Sequence, residues 1–347
     1  MKTKTVKIGN ITIGGGSRIA VQSMTNIPAH NTAAVTEQIN RLAEAGCDIV
    51  RFAVPDRETA ENVDKIVGAV SVPLVADIHF DYRLALMCIE RGISKIRINP
   101  GNIGGEDRAA AVAKAAKAKG IPIRIGVNGG SLEKGLLEKC GGNLAMAMVE
   151  SAKRHIDILN RYDFDDIVLS MKSSDVRITI AAYRLAHESF NYPLHLGVTE
   201  AGTVKSGIVK SAIGIGSLLA DGIGDTIRVS LTGDPVKEVE AARLILRALD
   251  MEPDSIQVVS CPTCGRTKID LISIANRVTE ETEKLKGKLK VAVMGCVVNG
   301  PGEAKDADIG IAGGDGCAVL FKKGEIIKKL PENEIVDALM DEIRRMI

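Results

Sequence analysis

Short apolar runs alternate with longer amphipathic segments between residues 19 and 249 of this chain. The apolar runs have the length of buried strands, and the segments between them have the length of surface helices. Strands are predicted at 19–24, 48–54, 73–78, 95–99, 121–127, 166–171, 193–199 and 226–231. Helices are predicted near 32–46, 57–70, 81–91, 105–119, 143–161, 174–190, 203–220 and 235–249. A strand followed by a helix thus occurs eight times over roughly 230 residues, which predicts a TIM barrel. The alternative is an open doubly wound sheet, but eight even units favour closure.

The remainder of the chain has a different pattern and is predicted to be a separate α/β unit. Strands are expected near 256–259, 289–294, 308–311 and 318–322, and helices near 268–285 and 332–346. We therefore divide the chain into a substrate-binding (β/α)8 domain over residues 1–250 and a small α/β domain over residues 251–347.

Cationic residues stand at the ends of five predicted barrel strands, where TIM-barrel enzymes place their chemistry. These residues are Arg51, Arg97, Arg124, Lys172 and Arg228. Residues two or four apart share one face of a strand, so Asn128 points the same way as Arg124, and Ser230 the same way as Arg228. The residues between them are mainly apolar and must pack on the helices, which turns the polar set toward the barrel axis.

Five cations at one barrel mouth repel one another unless an anion lies between them. Guanidinium groups match phosphate oxygens bidentately, and each such contact is worth about 1.5–3 kcal/mol. The pattern therefore predicts a polyanionic ligand such as a diphosphate. The alternative is a set of ion pairs on the barrel rim, for which Asp77 and Glu200 are the available carboxylates.

The composition argues against several other kinds of ligand. The chain has 347 residues, a formal net charge of +1, 3% aromatic residues and no Trp. A chain with neither a basic excess nor stacking side chains is not expected to bind nucleic acid or an anionic membrane. No apolar run approaches the ~18 residues of a membrane span, and no signal-peptide core follows the N-terminus. We expect a soluble cytoplasmic protein whose seven cysteines are thiols or metal ligands.

Three cysteines of the second unit have the spacing of an iron–sulfur site. Cys261 and Cys264 form a C-x-x-C turn, and Cys296 follows in a glycine-rich segment. Such a turn can place two thiolates on one metal centre, and glycine lets the backbone approach an inorganic core. Four cysteines are the usual ligand set, which makes Cys317 the generic fourth ligand.

Two other classes of protein fit parts of this pattern. A phosphosugar aldolase or isomerase barrel with a structural zinc would also use a C-x-x-C turn, but zinc sites usually draw a second closely spaced ligand pair. The second unit contains no His to supply one. An iron–sulfur redox sensor is the other class, and the cationic barrel mouth argues against it. The remaining cysteines are expected to be small buried hydrophobic residues, at Cys47, Cys88 and Cys140.

Longer motifs resemble one known family over nearly the whole chain. In the barrel they are VQSMTN at 21–26, ADIHF at 76–80, IRINPGNIG at 96–104, IRIGVNGGSL at 123–132, LGVTEAG at 196–202 and DTIRVS at 225–230. In the second unit they are SCPTCGR at 260–266 and NGPGEA at 299–304. Together these motifs resemble the 4-hydroxy-3-methylbut-2-enyl diphosphate synthase family, iron–sulfur enzymes of the non-mevalonate isoprenoid pathway.

The resemblance implies an oxidoreductase with a TIM barrel and a small [4Fe–4S] domain. The implied reaction is reductive ring opening and dehydration of 2-C-methyl-D-erythritol 2,4-cyclodiphosphate to 4-hydroxy-3-methylbut-2-enyl diphosphate. Flavodoxin or ferredoxin is implied as the source of the two electrons. The implied diphosphate ligands are Arg51, Arg97, Arg124, Asn128, Lys172, Arg228 and Ser230.

The resemblance also implies which residues act in the chemistry. Glu200 would lie near the reacting carbons as a proton donor. Glu303 would replace Cys317 as the fourth cluster ligand, and a carboxylate ligand would leave one iron able to bind the substrate's oxygen, which makes Glu303 catalytic as well. The implied cluster ligands are Cys261, Cys264, Cys296 and Glu303.

The order of the elements predicts a homodimer. The strand at 226–231 ends at the barrel mouth, and the helix near 235–249 runs back to the opposite end. The linker at 250–255 spans at most ~20 Å, which is about the height of the barrel, and helices cover the barrel wall. A head-to-tail dimer with two-fold symmetry would let each small domain cap its partner's barrel. The alternative is a small domain folded along its own barrel.

Overall fold

The computed structural model describes residues 2–99, 103, 105–296, 304 and 306–347. The chain divides into two compact units, Met1–Leu249 and Asp250–Ile347, one residue from the boundary predicted from the sequence. Among the described residues, no helix combines the length and the apolar character that a bilayer crossing needs.

The first unit is a TIM barrel, as predicted. Its strands are β3 (Ala20–Met24), β4 (Ile49–Ala53), β5 (Leu74–Asp77), β6 (Lys95–Ile98), β7 (Ile123–Asn128), β8 (Ile167–Lys172), β9 (His195–Leu196) and β10 (Thr226–Ile227). They pair in the order β8-β7-β6-β5-β4-β3-β10-β9, and every pair is parallel. An isolated parallel bridge between Leu169 and Leu194 joins the two ends of this sheet.

The helices of the barrel lie close to the predicted ranges. They are α1 (Thr32–Glu44), α2 (Arg57–Glu61), α3 (Val63–Gly68), α4 (Tyr82–Glu90), α5 (Glu106–Lys119), α6 (Leu136–Lys139), α7 (Leu144–Asn160), α8 (Val176–Ser189), α9 (Val204–Ala220) and α10 (Pro235–Ala248). The helix predicted near 57–70 is divided at Asn62, whose backbone leaves the helical region and whose side chain bonds the carbonyl of Glu58. The short helix α6 was not predicted.

Asn or Asp side chains begin six of these helices by accepting a first-turn N–H. The caps are Asn31, Asp56, Asp81, Asn143, Asp175 and Asp234. Five of the caps follow a loop that leaves the carboxyl end of a strand, which holds these loops at the barrel mouth, and Asn143 follows the short helix α6.

An antiparallel hairpin that the sequence did not predict precedes the barrel. It consists of β1 (Val6–Ile8) and β2 (Ile11–Ile13). Its Val6, Ile8 and Ile13 pack against residues near the starts of the barrel strands, among them Ile49 and Val168. The amino-terminal end of the barrel is therefore filled with apolar side chains, and polar groups collect at the carboxyl end.

The second unit is built on one mixed sheet. Its strands are β11 (Ile256–Ser260), β12 (Leu289–Met294), β13 (Ile309–Gly314), β14 (Cys317–Lys322) and β15 (Glu325–Pro331), in that order. The first three strands are parallel, and β14 and β15 are antiparallel additions. The edge strand β15 was not predicted, because most of its residues are exposed and it lacks the apolar character of a buried strand.

Two helices complete the second unit. Helix α11 (Leu271–Thr282) begins three residues later than predicted, because the Asp270 side chain caps it by accepting the N–H of Ser273. Helix α12 (Ile335–Met346) follows a 3-10 turn at Glu332–Glu334. Its apolar face, with Ile335, Leu339 and Ile343, packs in the core formed with Val291 and Ile309 of the sheet.

Candidate active site at the carboxyl ends of the barrel strands

The barrel strands end around a cavity of about 150 Å³. All seven side chains that the sequence analysis associated with a diphosphate line this cavity, namely Arg51, Arg97, Arg124, Asn128, Lys172, Arg228 and Ser230. Asp77, His79, Ser170 and Thr199 also line it. Alternation along each strand accounts for this convergence, because residues two apart on a closed parallel sheet point into the same interior.

Two strand glycines make room for two of the cations. A Cβ atom at Gly126 would lie 2.8 Å from Arg97 Nε, and one at Gly197 would lie 2.7 Å from Lys172 Nζ. Any side chain at either position would displace the neighbouring cation. Both glycines interrupt apolar strand sequences, which is the sequence signal that could have identified them.

Two carboxylates hold three of the cations in place. The Asp77 carboxylate lies 3.2 Å from Arg97 Nη1 and 3.8 Å from Arg51 Nε. Burial acts to raise the pKa of Asp77, but Arg51 and Arg97 outweigh it and hold that pKa below its usual value. The second carboxylate, Glu238, lies 3.5 Å from Arg228 Nη2. The alternative of ion pairs on the barrel rim is thus correct for Asp77. Glu238 is a second partner, which was not predicted from the sequence.

Positive charge remains after these pairs are counted. Five cationic side chains converge and two carboxylates face them, so among the described residues three positive charges at the mouth are uncompensated. A cavity with this charge requires an anion for electrostatic balance.

Arg124 carries its charge at a position that is closed to water. Its side chain is 1% accessible, and neither Nε nor Nη2 has a hydrogen-bond partner among the described residues. Burial and the nearby Arg51 and Arg97 lower its pKa well below the usual value. An unpaired buried guanidinium costs several kcal/mol, roughly, and acceptor oxygens of a bound anion would recover that energy.

The pKa values of two other cations at the mouth are lowered as well. Burial, opposed by Asp77, lowers the pKa of Arg51 to about 10, and its guanidinium also contacts the Met24 sulfur at 2.8 Å. Burial and then the charges of Arg228 and Arg124 lower the pKa of Lys172 well below its usual value. An anion beside these groups would favour their charged forms.

A second polar layer lies deeper in the barrel, nearer the starts of the strands. Lys95 is fully buried, and its Nζ donates to Gln22 Oε1 at 3.3 Å. His195 is fully buried as well, with Nδ1 2.7 Å from Thr226 Oγ1. Burial lowers the pKa of both groups, and the charge of Arg124 adds to that effect. This layer was not predicted from the sequence, since a Lys at the start of a strand is usually exposed.

Glu200 lies beside the cavity and does not line it. Its side chain is exposed, and it follows the cavity residue Thr199 directly. Its backbone adopts a φ of 51°, a left-handed conformation that costs a non-glycine residue about 1–3 kcal/mol. Such strain persists at positions that the surrounding structure or the function requires.

The cysteines of the second unit lie on neighbouring loops. Cys261 follows β11, and its Sγ accepts a hydrogen bond from the N–H of Gly295 at 3.2 Å, next to Cys296. Hydrogen bonds from the backbone and side chain of Arg266 lower the pKa of the exposed Cys264 thiol. A lowered pKa favours the thiolate, which is the form of cysteine that ligates metals.

The described residues do not complete a metal site. Among them, no three His, Cys, Asp or Glu side chains form a group that could hold a metal ion. The predicted fourth ligand, Glu303, lies outside the described residues. Its generic competitor Cys317 begins β14, where it pairs with Gly314, and is half-buried.

The other cysteines follow the prediction with one exception. Cys47 and Cys88 are buried, and burial raises the pKa of each thiol to about 12. Cys140 is only half-buried, because it lies at the end of the short helix α6, which the sequence did not predict.

Fold and site together define an anion-binding TIM-barrel enzyme. The chain belongs to the GcpE family: the family's TIM-barrel domain matches residues 3–243, and its C-terminal domain matches residues 257–345. The resemblance drawn from the motifs, and with it the prediction of an oxidoreductase of isoprenoid biosynthesis, is confirmed.

Curated relatives match over almost the full chain. The 4-hydroxy-3-methylbut-2-en-1-yl diphosphate synthase (flavodoxin) of Ruminiclostridium cellulolyticum is 59% identical, covering 99% of this chain and 98% of the relative. The protein of the same name from Clostridium acetobutylicum is 58% identical over 100% of this chain and 99% of the relative.

Solved structures support the barrel alone. The dihydropteroate synthase of Xanthomonas albilineans, in complex with 7,8-dihydropteroate, superposes with a TM-score of 0.53 at 15% identity, over 72% of this chain and 99% of that structure. The dihydropteroate synthase of Stenotrophomonas maltophilia gives 0.53 at 13% identity, over 72% and 100%. At these identities the likeness is one of fold.

Proposed function

We propose that this chain converts 2-C-methyl-D-erythritol 2,4-cyclodiphosphate to 4-hydroxy-3-methylbut-2-enyl diphosphate. The reaction takes up two electrons and two protons, opens the ring and releases one water. The observation that carries the proposal is the cavity with three uncompensated positive charges, in a chain of this family. A cyclic diphosphate supplies both the negative charge and the acceptor oxygens that the buried guanidinium groups require.

The diphosphate binds through the seven predicted side chains of the cavity. Arg124 and Arg228 each hold buried nitrogen atoms without a partner among the described residues, and these are the donors that phosphate oxygens would satisfy. Lys172 and Arg51 contribute charge, and Arg97 must share its guanidinium between Asp77 and the ligand. Asn128 and Ser230 add neutral hydrogen bonds at the rim. When the diphosphate is bound in this way, the carbon skeleton of the substrate points toward the open side of the mouth.

Glu200 donates a proton to the reacting substrate in this proposal. It stands at the end of the segment that continues β9 past the cavity, directly after the cavity residue Thr199. General acids of this kind contribute about 10²–10⁴-fold to rate. Its strained backbone supports a role that depends on where its side chain points.

We further propose that Cys261, Cys264, Cys296 and Glu303 hold a [4Fe–4S] cluster. The hydrogen bond to the Cys261 sulfur and the lowered pKa of the Cys264 thiol fit this group. When bound, the cluster supplies electrons one at a time and an iron that can take an oxygen ligand. The protein's part is to hold the thiols on neighbouring loops and to leave one ligand position to a carboxylate.

Flavodoxin is the proposed electron donor. The curated relatives carry flavodoxin in their names, which favours it over ferredoxin for this chain. We also propose a cytoplasmic location, because none of the seven cysteines, all of which the structure describes, forms a disulfide, and disulfides are rare in reducing compartments.

A homodimer is proposed as the working form. Strand β10 ends at the barrel mouth, and α10 leads the chain away from it before the second unit begins at Asp250. In a two-fold dimer each small domain would cap its partner's cavity. Co-expression of Cys264→Ser and Arg124→Ala chains tests this, because one intact site forms only if cluster and cavity come from different chains. Regained turnover supports the dimer, and an inactive verified heterodimer refutes it.

Two measurements test the function itself. Anaerobically reconstituted protein should contain iron and sulfide and should form the linear diphosphate from the cyclic one with reduced flavodoxin. Calorimetry with the cyclic diphosphate should show weaker binding for both Arg124→Ala and Arg228→Ala, and unchanged affinity in both refutes the cavity as the binding site.

The ligand assignment has its own test. Serine at any of the three cluster cysteines should abolish iron content, and Cys317→Ser should leave it intact. Loss of iron in Cys317→Ser together with its retention in Glu303→Ala reverses the assignment of the fourth ligand.

A further inference from the structure

Glu238 joins three separate parts of the barrel through one buried carboxylate. Its Oε2 accepts a hydrogen bond from Ser23 Oγ at 2.9 Å, on strand β3. Its Oε1 accepts the backbone N–H of Leu231 at 3.0 Å and lies 3.5 Å from Arg228 Nη2, on the segment after β10. Glu238 itself belongs to the first turns of α10. The first strand, the last strand and the following helix of the barrel therefore meet at this side chain.

The position of Glu238 differs from that of the other carboxylate at the mouth. Asp77 lines the cavity and pairs with Arg97 there, so it would compete with an anion for that guanidinium. Glu238 is 4% accessible and does not line the cavity, so it reaches Arg228 from behind. The start of a helix also favours a carboxylate electrostatically.

Arg228 keeps free donor capacity despite this contact. Its Nε is buried and has no hydrogen-bond partner among the described residues. A carboxylate behind the guanidinium thus limits its motion and leaves its other nitrogen atoms for the cavity. Leu231 stands directly after Ser230, so the same carboxylate also restrains the backbone that carries this second cavity residue.

We propose that Glu238 is the positioning residue of the anion site, holding Arg228 and the 229–231 segment in the geometry that binds the diphosphate. The proposal deepens the proposed function and rests on it for the identity of the ligand. The physical gain is pre-organisation: donors that are already held in place lose less conformational freedom when the anion binds.

The opposing interpretation treats Glu238 as a counter-ion only. The two interpretations predict opposite changes in anion affinity when Glu238 is replaced by Gln. In Glu238→Gln the amide can still accept the Leu231 N–H and bond the Ser23 hydroxyl, while the charge that holds Arg228 is lost. A counter-ion alone would leave the cavity more positive after this change, so anion binding would become tighter. A positioning residue would leave Arg228 less restrained, so binding would become weaker.

Inorganic pyrophosphate is the probe, measured by calorimetry on the full-length protein. We expect binding about tenfold weaker in Glu238→Gln and about fivefold weaker in Ser23→Ala, which keeps the charge and removes one restraint. Glu240→Gln is the matched control, because Glu240 is exposed on the same helix and pairs with Lys237. Tighter binding in Glu238→Gln, or unchanged binding in Ser23→Ala, overturns the proposal.

A double-mutant cycle shows whether Glu238 acts through Arg228. In an Arg228→Ala background the effect of Glu238→Gln should shrink, and an undiminished effect contradicts the proposal. In turnover assays Glu238→Gln should raise KM about tenfold while kcat stays within a fewfold of the parent, since the residue touches no reacting atom. Pyrophosphate binding needs no assumption about the substrate. If the variants weaken pyrophosphate binding as expected but the parent protein does not turn over the cyclic diphosphate, only the proposed function is contradicted.

Discussion

The Asp77 carboxylate accepts a hydrogen bond from Arg97 at 3.2 Å inside the cavity that we assign to the diphosphate. The pair keeps two like charges, Arg97 and Arg51, close together in the absence of an anion. A bound diphosphate would take over this task, since its oxygens can reach the same guanidinium groups. The stability of the barrel and its affinity for anions are therefore linked at the mouth.

Replacement of Asp77 by Asn should expose this link. Removing one member of a buried ion pair costs about 3–5 kcal/mol, so anion-free Asp77→Asn should unfold at a lower temperature than the parent. Saturating pyrophosphate should reduce the difference, because it neutralises the same cations. Thermal unfolding with and without pyrophosphate measures both effects. Asp221→Asn, at the exposed pair with Arg184, is the control, and equal stability of Asp77→Asn and parent without anion would contradict the expectation.

The pH dependence of this pair has a definite sign. The pKa of Asp77 is lower in the folded protein than its ordinary value, so its stabilising contribution is present above the unfolded pKa. That contribution is lost as the pH falls through the lower, folded pKa. The stability difference between parent and Asp77→Asn should therefore decrease on acidification.

Arg124→Met should separate stability from binding. Removal of a buried, unpaired charge in favour of an apolar side chain should raise the free energy of unfolding of the anion-free protein by about 1–4 kcal/mol. The same change should weaken pyrophosphate binding by about 1.5–3 kcal/mol, because a charge-assisted contact is lost. Urea denaturation and calorimetry give the two quantities. A variant that is both less stable without anion and unaltered in binding would show that Arg124 has another role.

Anion binding should take up protons through Lys172. Burial and the neighbouring arginines lower the pKa of this amine in the free protein, and a phosphate beside it would raise that pKa again. Protons are then bound between the two pKa values, and affinity should fall as the pH rises through that window. Calorimetry of pyrophosphate binding in buffers of different ionisation enthalpy measures the uptake. Lys172→Met should decrease it, and the exposed Lys237→Met should not; equal uptake in all three proteins would disprove the assignment.

Glu200→Gln should impair turnover far more than binding. Loss of a positioned proton donor costs about 10²-fold or more in kcat, whereas the cavity residues that bind the diphosphate are unchanged. Steady-state kinetics on cluster-loaded enzyme and calorimetry with the cyclic diphosphate separate the two effects. Glu188→Gln, at an exposed position on α8, is the matched control. If turnover stays within a fewfold of the parent, Glu200 acts only as a counter-ion.

The local pattern of the sequence determined the barrel and the composition of its mouth. Strands with a period of two, separated by helices, leave one interior face, and the cations at the strand ends must share it. This is why the pattern alone assigns Arg124 and Arg228 to one site, although they are far apart in the chain. The C-x-x-C turn at Cys261 and Cys264 is equally local.

Other features follow only from closure of the barrel. Whether Glu238 reaches Ser23, 215 residues earlier in the chain, depends on β10 pairing with β3 and on the direction in which α10 leaves the mouth. The burial of Lys95, the space left by Gly126 and the apolar hairpin at the other end also depend on which strands become neighbours. Periodicity specifies the face on which a side chain lies, whereas its partner across the barrel is set by strand register and packing, which only the tertiary structure decides.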